Sequence, residues 1–243
     1  MTDWRAKGAT ATMRPMDSLA STLLETVERE TGPSPTWSVI WLHGLGADGH
    51  DFEPIVPELV RRDWPAVRFV FPHAPVRAVT INNGARMRAW YDIRDFDLAN
   101  RADETGVAES VEQVEALVAR EVERGIPRER IVLAGFSQGG AITLAWGLRT
   151  PRPLAGLVAL STYLPSAQKA GEFAAAEART QPVFMAHGTM DPVVPVQAGQ
   201  FSAGVLQQLG LGVEWHAYPM AHQVCAEQIR DLGDWLSRRF AGS

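Results

Sequence analysis

The 243-residue sequence has one cysteine, Cys225. An internal disulfide is therefore excluded, and the fold must rest on packing alone. A reducing compartment suits such a chain, and a cytoplasmic location is expected. Nowhere do about 18 apolar residues run together, which excludes an apolar spanning helix and the stable membrane insertion it would give. The opening stretch "MTDWRAKGATATMRPMDSLAST" has basic side chains but lacks the apolar core of a signal peptide. No cluster of histidine, cysteine and carboxylate has metal-ligand spacing. Neither a G-x-G-x-x-G fingerprint nor a P-loop occurs, so no metal and no cofactor is expected. Positive charge is not in excess: the formal net charge is -5. That balance argues against nucleic acid or an anionic membrane surface as partner.

What is present is enough apolar material, 46% of residues, for one sizeable core. Repeats, low-complexity tracts and linkers do not interrupt it. A single domain is expected over residues 22–243, preceded by a loose arm over 1–21. "LLETVERE" half-alternates like an edge strand. "WSVIWL", "VRFVF", "RIVLA", "LAGLVALS" and "PVFMAH" are short continuous apolar runs, the pattern of strands covered on both faces. "VEWHAY" alternates more. Between these runs lie helical patterns. One sets Val107, Val111, Val114, Val118 and Val122 on a stripe; another does the same with Cys225, Ile229, Leu232, Trp235 and Leu236. Strands alternating with helices imply an α/β fold, a largely parallel sheet with helices on both faces. "TINNGARMRAW" carries Asn-Gly between short arms, a hairpin signal. No insertion is large enough for a cap domain, so a site on this chain should be open.

The stretch "LAGFSQGGAITL" carries the chemistry. A buried strand runs into a helix with only "GFSQG" to turn between them. So tight a turn strains its central residue, Ser137, and pushes the hydroxyl outward at the carboxyl edge of the sheet. Side chains two positions away would strike the neighbouring strand and helix, which accounts for Gly135 and Gly139. The serine oxygen then stands at a helix N-terminus, where backbone N–H groups favour developing negative charge. The pentapeptide alone arises by chance in on the order of one chain in ten; its strand-helix context gives it weight.

A serine nucleophile needs a base, and the base an orienting acid. In sheets of this kind the chain order is nucleophile, acid, histidine. Of the six histidines, His43, His50 and His73 precede Ser137. His216 falls mid-strand, and no aspartate lies between Ser137 and His187. His222, in "YPMAHQ", occupies a loop between strand and helix. Asp191, in "HGTMDPVVP", is the one aspartate between Ser137 and His222, again in a loop after a strand. Open α/β sheets build their sites on that rim. Two N–H donors are needed for an oxyanion: Gln138, next to the serine, and Leu45, in the glycine-flanked "HGLG" loop, are the candidates. His43 is expected to brace that loop. Cys225 reads as a small packed hydrophobe.

"LHGLGADGHDF", "FPHAP", "AWYDI", "GFSQGG", "HGTMDPVVP" and "YPMAH" follow one another in this order. In that series the sequence resembles the phospholipase/carboxylesterase family of α/β-hydrolases, which includes acyl-protein thioesterases and small bacterial carboxylesterases. The resemblance runs from about "SVIWLHGLGADG" to the end of the chain. It implies a capless α/β-hydrolase fold, and a carboxylesterase acting on a small-molecule ester through an acyl-enzyme. Its serine, aspartate and histidine fall on Ser137, Asp191 and His222, and its oxyanion donors on Leu45 and Gln138. It further implies Trp90 as a wall of the acyl pocket, although plain core packing would suit that residue equally. The alternatives within the family are a lysophospholipase or acyl-protein thioesterase; outside it, a non-catalytic receptor reusing the fold. A monomer or homodimer is expected.

Overall fold

The computed structural model describes residues 23–95 and 103–241. In chain order these form β1 (Thr26–Glu30), β2 (Trp37–Leu42), α1 (Val56–Leu59), β3 (Val67–Pro72), β4 (Val76–Val79), β5 (Ala85–Arg88), α2 (Glu104–Glu123), β6 (Ile131–Phe136) and α3 (Gln138–Arg149). There follow β7 (Gly156–Leu160), α4 (Ala170–Phe173), β8 (Pro182–Gly188), α5 (Val196–Gln208), β9 (Gly212–Tyr218) and α6 (Ala226–Ala241). The expected arm over 1–21 lies outside the described residues.

Seven strands make one sheet in the order β1-β3-β2-β6-β7-β8-β9. Only the β1–β3 pairing is antiparallel; the others run parallel. This is the mostly parallel sheet expected from the apolar runs, with no large cap. The central strands β2, β3 and β7 are buried at every position. Successive side chains leave by opposite faces. Thus Ile40, Leu42, Ile131 and Leu133 join one core with Val114, Leu117, Ile142 and Leu206 from α2, α3 and α5. Val39, Trp41, Val132 and Ala134 join the other with Leu59, Leu232 and Trp235 from α1 and α6. Covering both faces is why the strands read as continuous rather than alternating.

Two local expectations are corrected. The valine stripe of α2 ends a turn early, with Val122 41% exposed; at 3.6 residues per turn it has drifted about 60° from Val107 and off the buried face. The hairpin exists, but its arms are β4 and β5, and "TIN" coils between them in a short 3₁₀ turn. Asn83 (φ 55) and Gly84 (φ 74) supply the left-handed step that closes it. Among the described residues, no helix is long and apolar enough to cross a membrane.

The β1 edge is tied to α2 by charge. Glu121, fully buried, sits 3.1 Å from Arg68 Nη1 and 3.0 Å from Arg124 Nη1. Glu28 binds Arg120 and Arg124 from the strand side. Removing the buried carboxylate strands guanidinium charge that the fold has taken from water. Glu121→Ala should lower unfolding free energy by about 3 kcal/mol in urea titrations.

Candidate active site

The junction of β6 and α3 carries Ser137 at φ 53, ψ -119, a region that side chains rarely adopt. Its neighbours make that conformation compulsory. A Cβ on Gly135 would stand 2.4 Å from the Gly139 carbonyl oxygen, and one on Gly139 would stand 2.4 Å from the Leu42 carbonyl oxygen. Both glycines are required by the close approach of α3 to β2 and to its own strand. Three hydrogen bonds hold the serine backbone in place. Its N–H donates to Leu160 O (2.9 Å), and its carbonyl accepts from Ala141 N–H (3.1 Å) and Thr162 Oγ1 (2.6 Å).

From this elbow the hydroxyl reaches His222. The Nε2···Oγ separation is 2.9 Å, and on the far side of the ring Nδ1 lies 2.7 Å from Asp191 Oδ2. The other carboxylate oxygen of Asp191 accepts from the Val193 (2.8 Å) and Val194 (2.9 Å) amides, which lock the side chain. Asp191 Oδ2 also lies 3.5 Å from His187 Nε2. That nitrogen donates to Val194 O at 2.9 Å, which identifies the tautomer. Burial lowers the His187 pKa and so favours the neutral ring. Sequence reading missed Gly188, which lets the two loops meet: a Cβ there would fall 2.3 Å from Met220 O and 2.4 Å from Ala221 O. The signal was available only as one glycine three residues before Asp191.

The "HGLG" loop passes beside the serine. A methyl on Gly44 would stand 3.5 Å from Ser137 Cβ, so Leu45 is one residue along the chain from that close approach. Gln138 opens α3, where the first amides have no partner within the helix. Its side chain points elsewhere, with Oε1 accepting the Trp90 amide (2.8 Å) and Nε2 donating to Tyr91 O (2.8 Å). Trp90 is fully buried and donates its indole N–H to His43 O at 2.9 Å. With no accessible surface it lines no open pocket here. The core alternative describes it, and its indole also grips the loop backbone. Its carbonyl accepts from Ser110 Oγ.

His43 braces the same loop from below. Nδ1–H donates to Gly44 O (2.7 Å), leaving Nε2 to accept the Ala74 amide (3.0 Å). Only the neutral ring can do both. His216 stays mid-strand, 2.9 Å from Glu214, and does not approach Ser137. Cys225 is a free thiol, half-buried against the α6 face of the core. Asp231, in α6, accepts from Tyr218 Oη at 2.8 Å.

Fold and geometry together define a capless α/β-hydrolase, with hydroxyl, imidazole and carboxylate aligned at the carboxyl rim of the sheet. A profile of the family described as phospholipase/carboxylesterase matches residues 25–239, and the chain belongs to that family. It is 41% identical to acyl-protein thioesterase 1 of Cryptococcus neoformans, over 83% of this chain and 91% of that one. It is 36% identical to carboxylesterase SOBER1 of Arabidopsis thaliana, over 84% and 91%. The solved structure of SOBER1 superposes with a TM-score of 0.78 at 35% identity, covering 84% of this chain and 98% of that one. Acyl-protein thioesterase 2 of Zea mays does so with 0.79 at 26% identity, covering 89% and 99%. A carboxylic ester hydrolase is the class these relatives define.

The His43 brace makes folding sensitive to acid. Burial lowers its pKa from 6.5 to about 4. Between those values the unfolded chain takes up a proton that the folded ring refuses. Stability is therefore full above about pH 6.5 and falls as pH drops toward 4, by on the order of 3 kcal/mol from this group. Urea midpoints followed downward through that window should fall, and should fall less steeply in His43→Asn.

Proposed function

We propose that Ser137, His222 and Asp191 form a catalytic triad and that the chain is a serine carboxylesterase working through an acyl-enzyme. The observation that carries this reading is the pair of hydrogen bonds on His222, 2.9 Å to Ser137 Oγ and 2.7 Å to Asp191 Oδ2. His222 takes the serine proton as Oγ attacks the ester carbonyl, while Asp191 fixes the ring tautomer. The Leu45 and Gln138 amides receive the oxyanion. His222 then protonates the departing alcohol, and water repeats the attack on the acyl-serine. Gln138 thus serves twice, its amide toward substrate and its side chain toward the Trp90 backbone. Trp90 is a positioning residue for the oxyanion loop rather than a wall of the pocket.

A thioester or a lysophospholipid enters the same scheme, since the attacked carbonyl and the oxyanion are alike. The thioester reading has its own support in the relatives named acyl-protein thioesterase 1. A receptor without chemistry would have no use for a strained serine held against an oriented imidazole. We take the catalytic domain to be single, over residues 22–243, acting in the cytoplasm as a monomer or homodimer.

Hydrolysis of a short p-nitrophenyl ester tests the assignment. Ser137→Ala should lower kcat by about 10⁶ and Asp191→Asn by about 10⁴. Near-normal turnover by the serine variant would end the proposal. Mass spectrometry after an organophosphonate should find one adduct, on Ser137; an unlabelled protein would favour the receptor.

A further inference from the structure

His222 has a second neighbourhood besides Ser137 and Asp191. A cleft of about 390 Å3 borders it, lined among others by Asp51, Phe52, Ile55, Glu58 and Phe136. A base that returns its proton to the departing oxygen must adjoin the space into which the leaving group moves. A cleft bordering that base is placed to receive a leaving group.

Its composition is selective. Aromatic rings adjoin the imidazole: Phe136 is 4.8 Å from His222 between ring centroids, and Phe52 is 5.4 Å from Phe136. Both charged groups of the lining, Asp51 and Glu58, are carboxylates, and no Arg or Lys lines it. Among the described residues, neither carboxylate forms an ion pair. Burial first, and the nearby Asp48 carboxylate second, raise the pKa of Asp51; a bound cation would favour its charged form.

We propose that this cleft is the leaving-group subsite and that it selects esters of alcohols bearing an alkylammonium head. The proposal rests on the esterase reading. An ammonium is drawn to aromatic faces by their quadrupole and to carboxylates by charge, while its methyl groups find the apolar wall of Phe52 and Ile55. As the acyl–Oγ bond forms on Ser137, the acyl–O bond of the ester breaks. The proton on His222 passes to the departing oxygen, and the cationic alcohol leaves through the cleft. Water later releases the acid. The same two carboxylates repel an anionic leaving group.

Two substrates test this: butyrylcholine, and its uncharged isostere in which a tert-butyl group replaces the trimethylammonium. Each kcat/KM is divided by the rate of alkaline hydrolysis of that ester, which removes their difference in intrinsic reactivity. The choline ester should be preferred by about tenfold. In Asp51→Asn/Glu58→Gln the preference should fall several-fold, leaving only the share supplied by the aromatic rings. A wild-type preference of one or less, or a preference undiminished in the double variant, overturns the subsite. Turnover of the neutral ester that disappears in Ser137→Ala registers the esterase reading by itself, so loss of preference with intact turnover sinks the subsite alone. Turnover of neither ester sinks both.

Discussion

The structure depends on a backbone contact: α3 begins so close to β2 and β6 that no Cβ fits at Gly135 or Gly139. That contact leaves the chain no relaxed route from strand to helix. The cost appears at Ser137, whose backbone sits in a region normally left to glycine. Such conformations persist only where surrounding structure over-determines them. Here the hydrogen bond Ser137 donates to Leu160, and those its carbonyl accepts from Ala141 and Thr162, do so. The reward is a hydroxyl held on a rigid element, aimed at one histidine, beside the first unpaired amides of a helix.

A second layer of polar groups keeps the loops around that hydroxyl from drifting. His43, Trp90 and Gln138 are all buried, and each spends its hydrogen-bonding capacity on backbone. Together they join the end of β2, the 89–91 segment and the start of α3. Buried polar groups left unpaired would be costly, so full pairing makes the arrangement single-valued. On the other flank, Gly188 lets the Asp191 loop press against the His222 loop. The Val193 and Val194 amides then orient the carboxylate. Alignment of Ser137, His222 and Asp191 is thus a property of three loop bases rather than of three side chains.

Lacking a cap, the site is bordered directly by the body of the domain. Its immediate surroundings are then the side chains beside His222 and the "HGLG" loop. The row Phe52, Phe136 and His222, with Asp51 and Glu58 along the same cleft, is one such surface. It is built by the connection between β2 and α1, by α1 itself, by the last residue of β6 and by the loop before α6.

Much of this was legible from residues alone. Strand order along the chain, burial on both sheet faces, the elbow glycines and the identities of Ser137, Asp191 and His222 follow from patterns with local causes: apolar period, tight-turn sterics, and the scarcity of aspartates and loop histidines downstream of the serine. What stayed hidden depends on distances between segments remote in sequence. Trp90 reads equally as pocket or core, and only its burial under the His43 carbonyl decides between them. The roles of Thr162, Gly188 and the Gln138 amide group, and the juxtaposition of Asp51 with His222, likewise arise when loops from different strands meet at one edge. Sequence sets which side chains a strand end can offer; the order and twist of the packed sheet decide which of those ends become neighbours, because hydrogen bonds and charges act over a few ångströms and take no account of separation along the chain.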